Sequence, residues 1–233
     1  MTRPDLPRLE GVPHPTTWPL YHWNRMGQRV IRMRYDVRLS STENVPASGP
    51  VIFASNHIGV ADGPLLAIFG PRPVHALTKA EMFIGFTARF LHFAGQLELN
   101  RDFTDPHAVK QGLKVLDAGH VLGIYPEGSR GDGELRRFAP GAAYFAMASG
   151  APVVPVYMFG SRRPGDGASS LPPKGTRIDM VFAPPFQVPA QPWPRTKEQV
   201  GHVSKLLQEH MLVHLDAVKA STGLELPGPL PSM

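Results

Sequence analysis

The stretch VIFASNHIGVADGPLLAIF, residues 51–69, has apolar residues at both ends and polar residues in the middle. Its first five residues form an apolar run that predicts a buried strand, and the run that follows Asp62 predicts a helix. Asn56, His57 and Asp62 lie between these two elements. Because open α/β sheets usually bind ligands at the carboxyl ends of their strands, the stretch predicts a functional site at this corner.

Short strand-like runs alternate with helical stretches through the rest of the chain. The strand candidates besides PVIFAS are RYDVRL, VHALTK, GQLELN, VLGIYP, PVVPVYM and RIDMVF. Helices are predicted near residues 62–69, 81–93, 105–118 and 140–149. Several of the strands are apolar throughout, which is typical of strands buried on both faces. This order predicts an α/β fold, a single layered domain with a mostly parallel, mixed sheet flanked by helices.

Three regions are expected along the chain. They are an N-terminal lead with an amphipathic Trp/Arg segment (residues 1–34), the folded domain (35–220) and a flexible tail (221–233). In the lead, tryptophans and arginines recur at helical spacing, which suits a helix that either lies in a membrane surface or docks on the core. Thr196 and Gln199 form the capping-box pattern of a terminal helix. The Gly/Pro-rich residues 160–175 predict a long hairpin-like loop.

Composition limits the chemistry. The 233 residues include no cysteine, which excludes disulfides, thiolate metal sites and a cysteine nucleophile. The net charge of +5 would attract phosphate in nucleic acid, in anionic lipid or in a small substrate. We expect no membrane-spanning helix and no secretory signal, because no apolar run reaches the length of about 18 residues and prolines interrupt the first residues.

His57 and Asp62 are the first pair with catalytic potential. An imidazole can take a proton from a hydroxyl group, and a carboxylate on its other ring nitrogen fixes the tautomer and stabilises the imidazolium. Two alternatives remain. The pair could be a hydrogen-bonded core histidine beside a helix N-cap, or two ligands of a metal, although no neighbouring His or Cys at ligand spacing completes such a site.

A second polar cluster lies in the turn YPEGSR, residues 125–130. A glycine there frees backbone N–H groups, and Arg130 offers a planar fork that can bind phosphate through two hydrogen bonds. The turn lacks the residues of a P-loop or of a nucleophile elbow. Arg101 and Lys79 follow other strands and could add positive charge at the same edge. A plain turn and solvated strand ends are the alternatives.

Taken in order, these segments resemble the glycerolipid acyltransferase family, the family of the bacterial 1-acyl-sn-glycerol-3-phosphate acyltransferases. The resemblance covers roughly residues 35–190. Its four blocks correspond to NHIGVAD, to GQLELNR ending at Arg101, to YPEGSR, and to VVPVYM around Pro155. The third block is usually Phe-Pro-Glu-Gly-Thr-Arg, so Tyr125 and Ser129 are mild departures. KAEMF, from Lys79, is similar to a further Lys-x-Glu-Leu-Phe segment.

The resemblance implies a glycerol-3-phosphate acyltransferase-like fold and transfer of a fatty acyl group. The donor would be acyl-CoA or acyl carrier protein, the acceptor 1-acyl-sn-glycerol 3-phosphate (lysophosphatidic acid) and the product phosphatidic acid. No metal and no cofactor is expected. The implied general base is His57, oriented by Asp62. The implied phosphate-binding residues are Arg101, Glu127, Gly128, Ser129 and Arg130, with possible support from Asn56, Lys79 and Pro155.

Many family members carry hydrophobic anchor helices, whereas this chain has only the Trp/Arg segment. We therefore expect a peripheral protein on the cytoplasmic side of the cell membrane, bound to an anionic surface and not to nucleic acid. Other acceptors remain open, including glycerol 3-phosphate, another lysophospholipid or an amine-bearing lipid. So do a hydrolase that activates water, and a non-catalytic basic module that binds membrane or nucleic acid.

Overall fold

The computed structural model describes residues 9–101 and 105–231. The strands are β1 (Asp36–Ser40), β2 (Val51–Ser55), β3 (Val74–Lys79), β4 (Leu97–Leu99), β5 (Val121–Ile124), β6 (Val153–Phe159) and β7 (Arg177–Phe182). The helices are α1 (Trp18–His22), α2 (Asn24–Arg32), α3 (Asp62–Phe69), α4 (Gly85–Phe93), α5 (Pro106–Asp117), α6 (Gly141–Ser149) and α7 (Lys197–Thr222).

The seven strands form one sheet in the order β1-β7-β6-β2-β5-β3-β4. Only β6 and β7 pair antiparallel in the described sheet, and every other pair is parallel. The loop predicted over residues 160–175 joins this antiparallel pair. Each predicted strand is present, so the predicted mostly parallel, mixed sheet is confirmed.

Strand β2 lies near the middle of the sheet and is buried along its whole length. Ile52 and Ala54 belong to a core with side chains of α5, α6 and α7, while Val51 and Phe53 belong to a core with α3. Burial on both faces explains why the first four residues of the strand are apolar. Because β5 and β6 run parallel to β2, the segments that follow these three strands meet at one edge of the sheet.

The helices begin close to their predicted positions, with one shift. Thr196 and Gln199 exchange the hydrogen bonds of the predicted capping box at the start of α7. Helix α4, predicted from residue 81, begins only at Gly85, because a 3₁₀ turn over Ala80–Met82 comes first. Gly85 has a φ of +56°, which favours glycine and marks the break between the two elements.

The N-terminal helices dock on the domain through polar contacts. Asn24 donates a hydrogen bond to the Ala67 carbonyl at 3.3 Å, and Gln28 donates to that of Ile68 at 2.8 Å. Leu20 is buried and Ile31 packs against the core, whereas the other large apolar side chains of this segment face outward. The exposed ones are Trp18, Tyr21, Trp23, Met26, Val30 and Met33. Docking and an exposed apolar face therefore occur together. Within the described residues, no helix is long and apolar enough to cross a bilayer.

The C-terminal segment differs from the expectation of a flexible tail from residue 221. Helix α7 continues to Thr222, and Leu226 then contacts both hydrophobic cores. The Gly228 carbonyl accepts a hydrogen bond from Arg162 at 2.6 Å. The tail is therefore packed against the domain over these residues. Residues 1–8 of the lead and the last two residues of the tail lie outside the described chain.

Candidate active site

His57 and Asp62 meet at the corner between β2 and α3. The His57 Nδ1 lies 2.9 Å from the Asp62 Oδ2, which also accepts the N–H groups of Ile58 at 2.7 Å and Gly59 at 2.9 Å. An ionised carboxylate only accepts, so Nδ1 carries the proton and Nε2 keeps a lone pair. The Asp62 side chain is fully buried, whereas that of His57 is 19% exposed. A substrate can therefore reach the ring.

This geometry differs from the alternative of a core histidine beside a helix cap. The N-cap of α3 is Ala61, and no side chain caps it. Asp62 instead points back to the corner, where it binds the imidazole and two backbone N–H groups. The carboxylate thus fixes both the ring and the loop that carries it.

The ring of Tyr125 stacks on that of His57, with centroids 4.2 Å apart and planes 25° from parallel. The Tyr125 hydroxyl is buried and has no hydrogen-bond partner among the described residues. Burial, followed by the charge of Asp62, raises the pKa of Tyr125 well above its ordinary value, so the hydroxyl stays protonated. The aromatic ring that opens the turn therefore packs directly against the imidazole.

Glu127 contacts His57 from the other side. Its Oε1 accepts the backbone N–H of His57 at 2.8 Å. Burial raises the pKa of Glu127 to about 7, against the lowering effect of this hydrogen bond, and Asp132 and Asp62 raise it further. A carboxyl group bound in this way repels phosphate when it ionises. The structure therefore gives Glu127 a positioning contact with the backbone of His57, and its part in phosphate binding stays a prediction.

The other predicted phosphate-binding residues lie around the same turn. Gly128 has a φ of +70°, and its carbonyl accepts a short hydrogen bond from the Arg101 Nη1. Ser129 is exposed. Arg130 reaches the opposite way, and its Nη1 donates to the Ala168 carbonyl at 2.9 Å and to the Ser169 hydroxyl at 3.3 Å. The structure thus brings Arg101 to the turn and ties Arg130 to the loop between β6 and β7.

The three possible supporting residues have different surroundings. Asn56 is fully buried and exchanges two hydrogen bonds with the backbone of Met158, at 2.7 and 3.1 Å, which joins the ends of β2 and β6. Pro155 is buried inside the sheet opposite Ala54. Lys79 forms an ion pair of 2.7 Å with Glu81. Asn56 therefore supports the corner directly, and Pro155 supports the strand beside it.

Two residues at this edge of the sheet, Ser161 and Arg162, were not predicted from the sequence. The Ser161 hydroxyl donates a short hydrogen bond to the Asp62 Oδ1, and the Arg162 Nε donates to the Ile58 carbonyl at 2.7 Å. Both side chains are buried. The signal that could have found them is their place just after the strand β6, in a sheet that was predicted to be mostly parallel.

Together these residues form a base of fixed tautomer, an orienting carboxylate and two arginines near one turn. Such an arrangement can deprotonate a hydroxyl group and bind an anion beside it. No group of three side chains suited to a metal ion occurs within residues 9–101 and 105–231.

Residues 36–159 match the family model described as Acyltransferase. The chain is 27% identical over 186 residues to a 1-acyl-sn-glycerol-3-phosphate acyltransferase of Bacillus subtilis, with 78% of this chain and 89% of that protein covered. It is 31% identical to the Borreliella burgdorferi protein of the same name, over 52% of this chain and 50% of the relative. For the human protein with the added name beta, identity is 28% over 53% of this chain and 46% of the relative.

The chain thus spans most of the Bacillus relative and about half the length of the other two. A solved structure of PlsC, the 1-acyl-sn-glycerophosphate (LPA) acyltransferase of Thermotoga maritima, matches with a TM-score of 0.62 and 20% identity. The match covers 85% of this chain and 80% of that one. At this identity the likeness shows the fold.

Proposed function

Because this chain belongs to the acyltransferase family, we propose that it transfers a fatty acyl group from a thioester donor to the free hydroxyl of 1-acyl-sn-glycerol 3-phosphate, forming phosphatidic acid. The family match covers residues 36–159, more than half of the chain, and contains both His57 and the YPEGSR turn. The chain is accordingly an O-acyltransferase. The choice of acceptor is supported by the names of the relatives, and the donor would be acyl-CoA or acyl carrier protein.

The observation that carries this proposal is the hydrogen bond of 2.9 Å between His57 and the buried Asp62. His57 Nε2 takes the proton of the acceptor hydroxyl while its oxygen attacks the thioester carbonyl. A carbon–oxygen bond forms, the carbon–sulfur bond breaks, and the imidazolium returns the proton to the leaving thiolate. Since the acceptor attacks directly, no serine or cysteine nucleophile is needed. General-base assistance of this kind contributes about 10²- to 10⁴-fold.

The acceptor phosphate would bind at the turn. Arg101 lies against Gly128, and Arg130 uses only its Nη1 in its hydrogen bonds to the described residues. The remaining N–H groups of the Arg130 guanidinium can meet a phosphate through two parallel bonds. Backbone N–H groups of the turn add donors.

We also propose that the protein works as a peripheral protein on an anionic membrane, on the cytoplasmic side. The exposed apolar side chains of α1 and α2 alternate with Arg25, Arg29 and Arg32. Trp23 contacts Phe93 with ring centroids 5.5 Å apart, so this surface continues onto α4. Phe86 and Phe90 of α4 are exposed, as is Ile84 directly before it. Apolar side chains among arginines favour the surface of an anionic bilayer.

The test is acyl transfer by the purified chain, with the products identified by mass spectrometry. Acyl-CoA and acyl carrier protein are each offered with lysophosphatidic acid, glycerol 3-phosphate, lysophosphatidylcholine, an amine-bearing lipid or no acceptor. We expect phosphatidic acid as the main product. Free fatty acid alone would indicate a hydrolase, and no thioester consumption with any acceptor would contradict the proposal.

Variants separate the roles in the same assay. His57→Ala should lose turnover by about 10²- to 10⁴-fold while acceptor binding persists. Arg130→Ala should raise the acceptor KM more than it lowers kcat. Arg38→Ala, an exposed arginine on the edge strand β1, is the matched control and should change neither. Loss of acceptor binding in His57→Ala would instead indicate a structural histidine.

A further inference from the structure

Ser161 and Arg162 are consecutive polar residues at the end of β6, with exposures of 0% and 2%. Burying a hydroxyl and a guanidinium costs free energy unless each is hydrogen-bonded. Neither residue takes part in the chemistry proposed above. Their hydrogen bonds show which groups Ser161 and Arg162 hold in place.

The Asp62 carboxylate divides its donors unequally between its two oxygens. Oδ2 accepts from the His57 ring and from the backbone of Ile58 and Gly59. Oδ1 accepts from Ser161, its only donor among the described residues. Since Asp62 is fully buried, water does not replace a missing donor at its surface. Ser161 therefore completes the carboxylate that orients the base.

The Arg162 guanidinium binds four main-chain carbonyls. Its Nε donates to Ile58 at 2.7 Å and its Nη1 to Asp166 at 2.9 Å, while its Nη2 donates to Gly131 at 3.0 Å and to Gly228 at 2.6 Å. Ile58 directly follows His57. The Gly131 N–H in turn donates to the His57 carbonyl at 2.8 Å. The guanidinium thus fixes the chain on both sides of the imidazole.

We propose that Ser161 and Arg162 are positioning residues for the His57–Asp62 pair, Ser161 through the Asp62 Oδ1 and Arg162 through the backbone that carries His57. This inference rests on the proposed function, because it takes His57 as the base. It adds a third member to the chain of side chains, Ser161–Asp62–His57. The planar fork of an arginine suits the second role, and the ammonium of a lysine does not reproduce it.

Loss of the Ser161 hydroxyl has an electrostatic consequence that loss of packing does not have. Without this donor the carboxylate charge is less dispersed, and it holds a protonated imidazole more strongly. The base then stays protonated to a higher pH. Losing a hydrogen bond to a charged group corresponds to a change of about 10- to 100-fold in a rate or an equilibrium constant.

The experiment measures kcat and KM against pH for the wild type and for Ser161→Ala, Ser161→Cys and Ser161→Thr. Ser204→Ala, a buried serine on α7, is the control. We expect Ser161→Ala to lower kcat about 10- to 100-fold, with the acceptor KM within about twofold. The midpoint of the acidic limb of kcat/KM should move to higher pH. Ser161→Thr keeps the hydroxyl and should restore both kcat and the midpoint of the acidic limb. Ser161→Cys, whose thiol is a weaker donor, should give values between those of the wild type and Ser161→Ala.

A loss of rate without movement of the acidic limb, or with no recovery in Ser161→Thr and Ser161→Cys, would reduce Ser161 to a packing residue and overturn the proposal for it. Arg162→Lys should lower kcat at least tenfold with little change in KM. Wild-type rates in that variant would overturn the role of Arg162. A wild type that is inactive on every acceptor counts against the proposed function, whereas an active wild type matched by Ser161→Ala counts against this inference alone.

Discussion

Glu127 predicts a pH dependence of stability. Burial raises its pKa to about 7, against an ordinary value of 4.5, because the charged form loses solvation beside the carboxylates of Asp132 and Asp62. The folded protein therefore favours the protonated carboxyl. The stability that Glu127 contributes is fully present below about pH 4.5 and is lost as the pH rises through 7.

Glu127→Gln should remove the loss of stability at high pH, because glutamine keeps the oxygen that accepts the His57 N–H and does not ionise. We expect the variant to match the wild type near pH 4, below both pKa values, and to be more stable by about 3 kcal/mol at pH 8, since each pKa unit corresponds to about 1.4 kcal/mol. Urea unfolding at the two pH values measures the difference. Glu209→Gln, an exposed glutamate on α7, should show the same difference at both. An effect of Glu127→Gln that is equal at both pH values would contradict the assignment.

At the residue level, the sequence predicted the contact between His57 and Asp62, the proposed catalytic pair, but not the contacts of the residues that hold them. His57 and Asp62 are only five positions apart, so one local pattern contains both. Ser161 lies 99 positions from Asp62, and Arg162 lies 104 positions from Ile58. Such contacts exist only once β6 lies beside β2. The contact of Glu127 with the His57 backbone was not predicted, because no sequence pattern displays a hydrogen bond to a backbone N–H.

At the level of elements, the segment of α1 and α2 is the proposed membrane-contacting surface. Replacing Trp18 and Trp23 together by serine should strongly reduce flotation with vesicles that contain phosphatidylglycerol, because two amphipathic anchors are lost. Trp193→Ser is the matched control, since Trp193 is 63% exposed at a different place. Binding that is unchanged by the double variant and by omission of the anionic lipid would contradict membrane contact through this segment.

The strands and helices were predictable because each has a recognisable local sequence pattern, such as an apolar run or a capping box. Strands β2 and β6 are almost entirely apolar because both of their faces are covered. The capping box of α7 needs only Thr196 and Gln199. The late start of α4 was not predictable, because apolar residues continue through the 3₁₀ turn and only the backbone angle at Gly85 marks the break.

At the level of the whole molecule, the tail after α7 should matter to a site far from it in sequence. A chain that ends at Thr222 loses the contacts of Leu226 and the Gly228 carbonyl that Arg162 binds. We expect the free energy of unfolding to fall by about 2–3 kcal/mol, which lowers the Tm by about 4–12 °C. We also expect a lower kcat. Thermal unfolding and the acyl-transfer assay measure these effects.

A chain that ends at Pro229 keeps both contacts and is the control. Equal Tm and kcat in the two shortened chains would show that residues 223–229 are dispensable. The sequence suggested a loose end here because its glycines and prolines are typical of disorder. The same residues are fixed in the structure because the buried guanidinium of Arg162 binds the Gly228 carbonyl.

The four carbonyls around Arg162 come from positions 58, 131, 166 and 228, so they leave the ribosome at very different times. A growing chain can form the sheet around β2 long before the last of these partners is made. The proposed catalytic corner is then completed only after residue 228 has been made. We expect a nascent chain stalled before residue 228 to be folded yet slow, and full release to switch on its turnover.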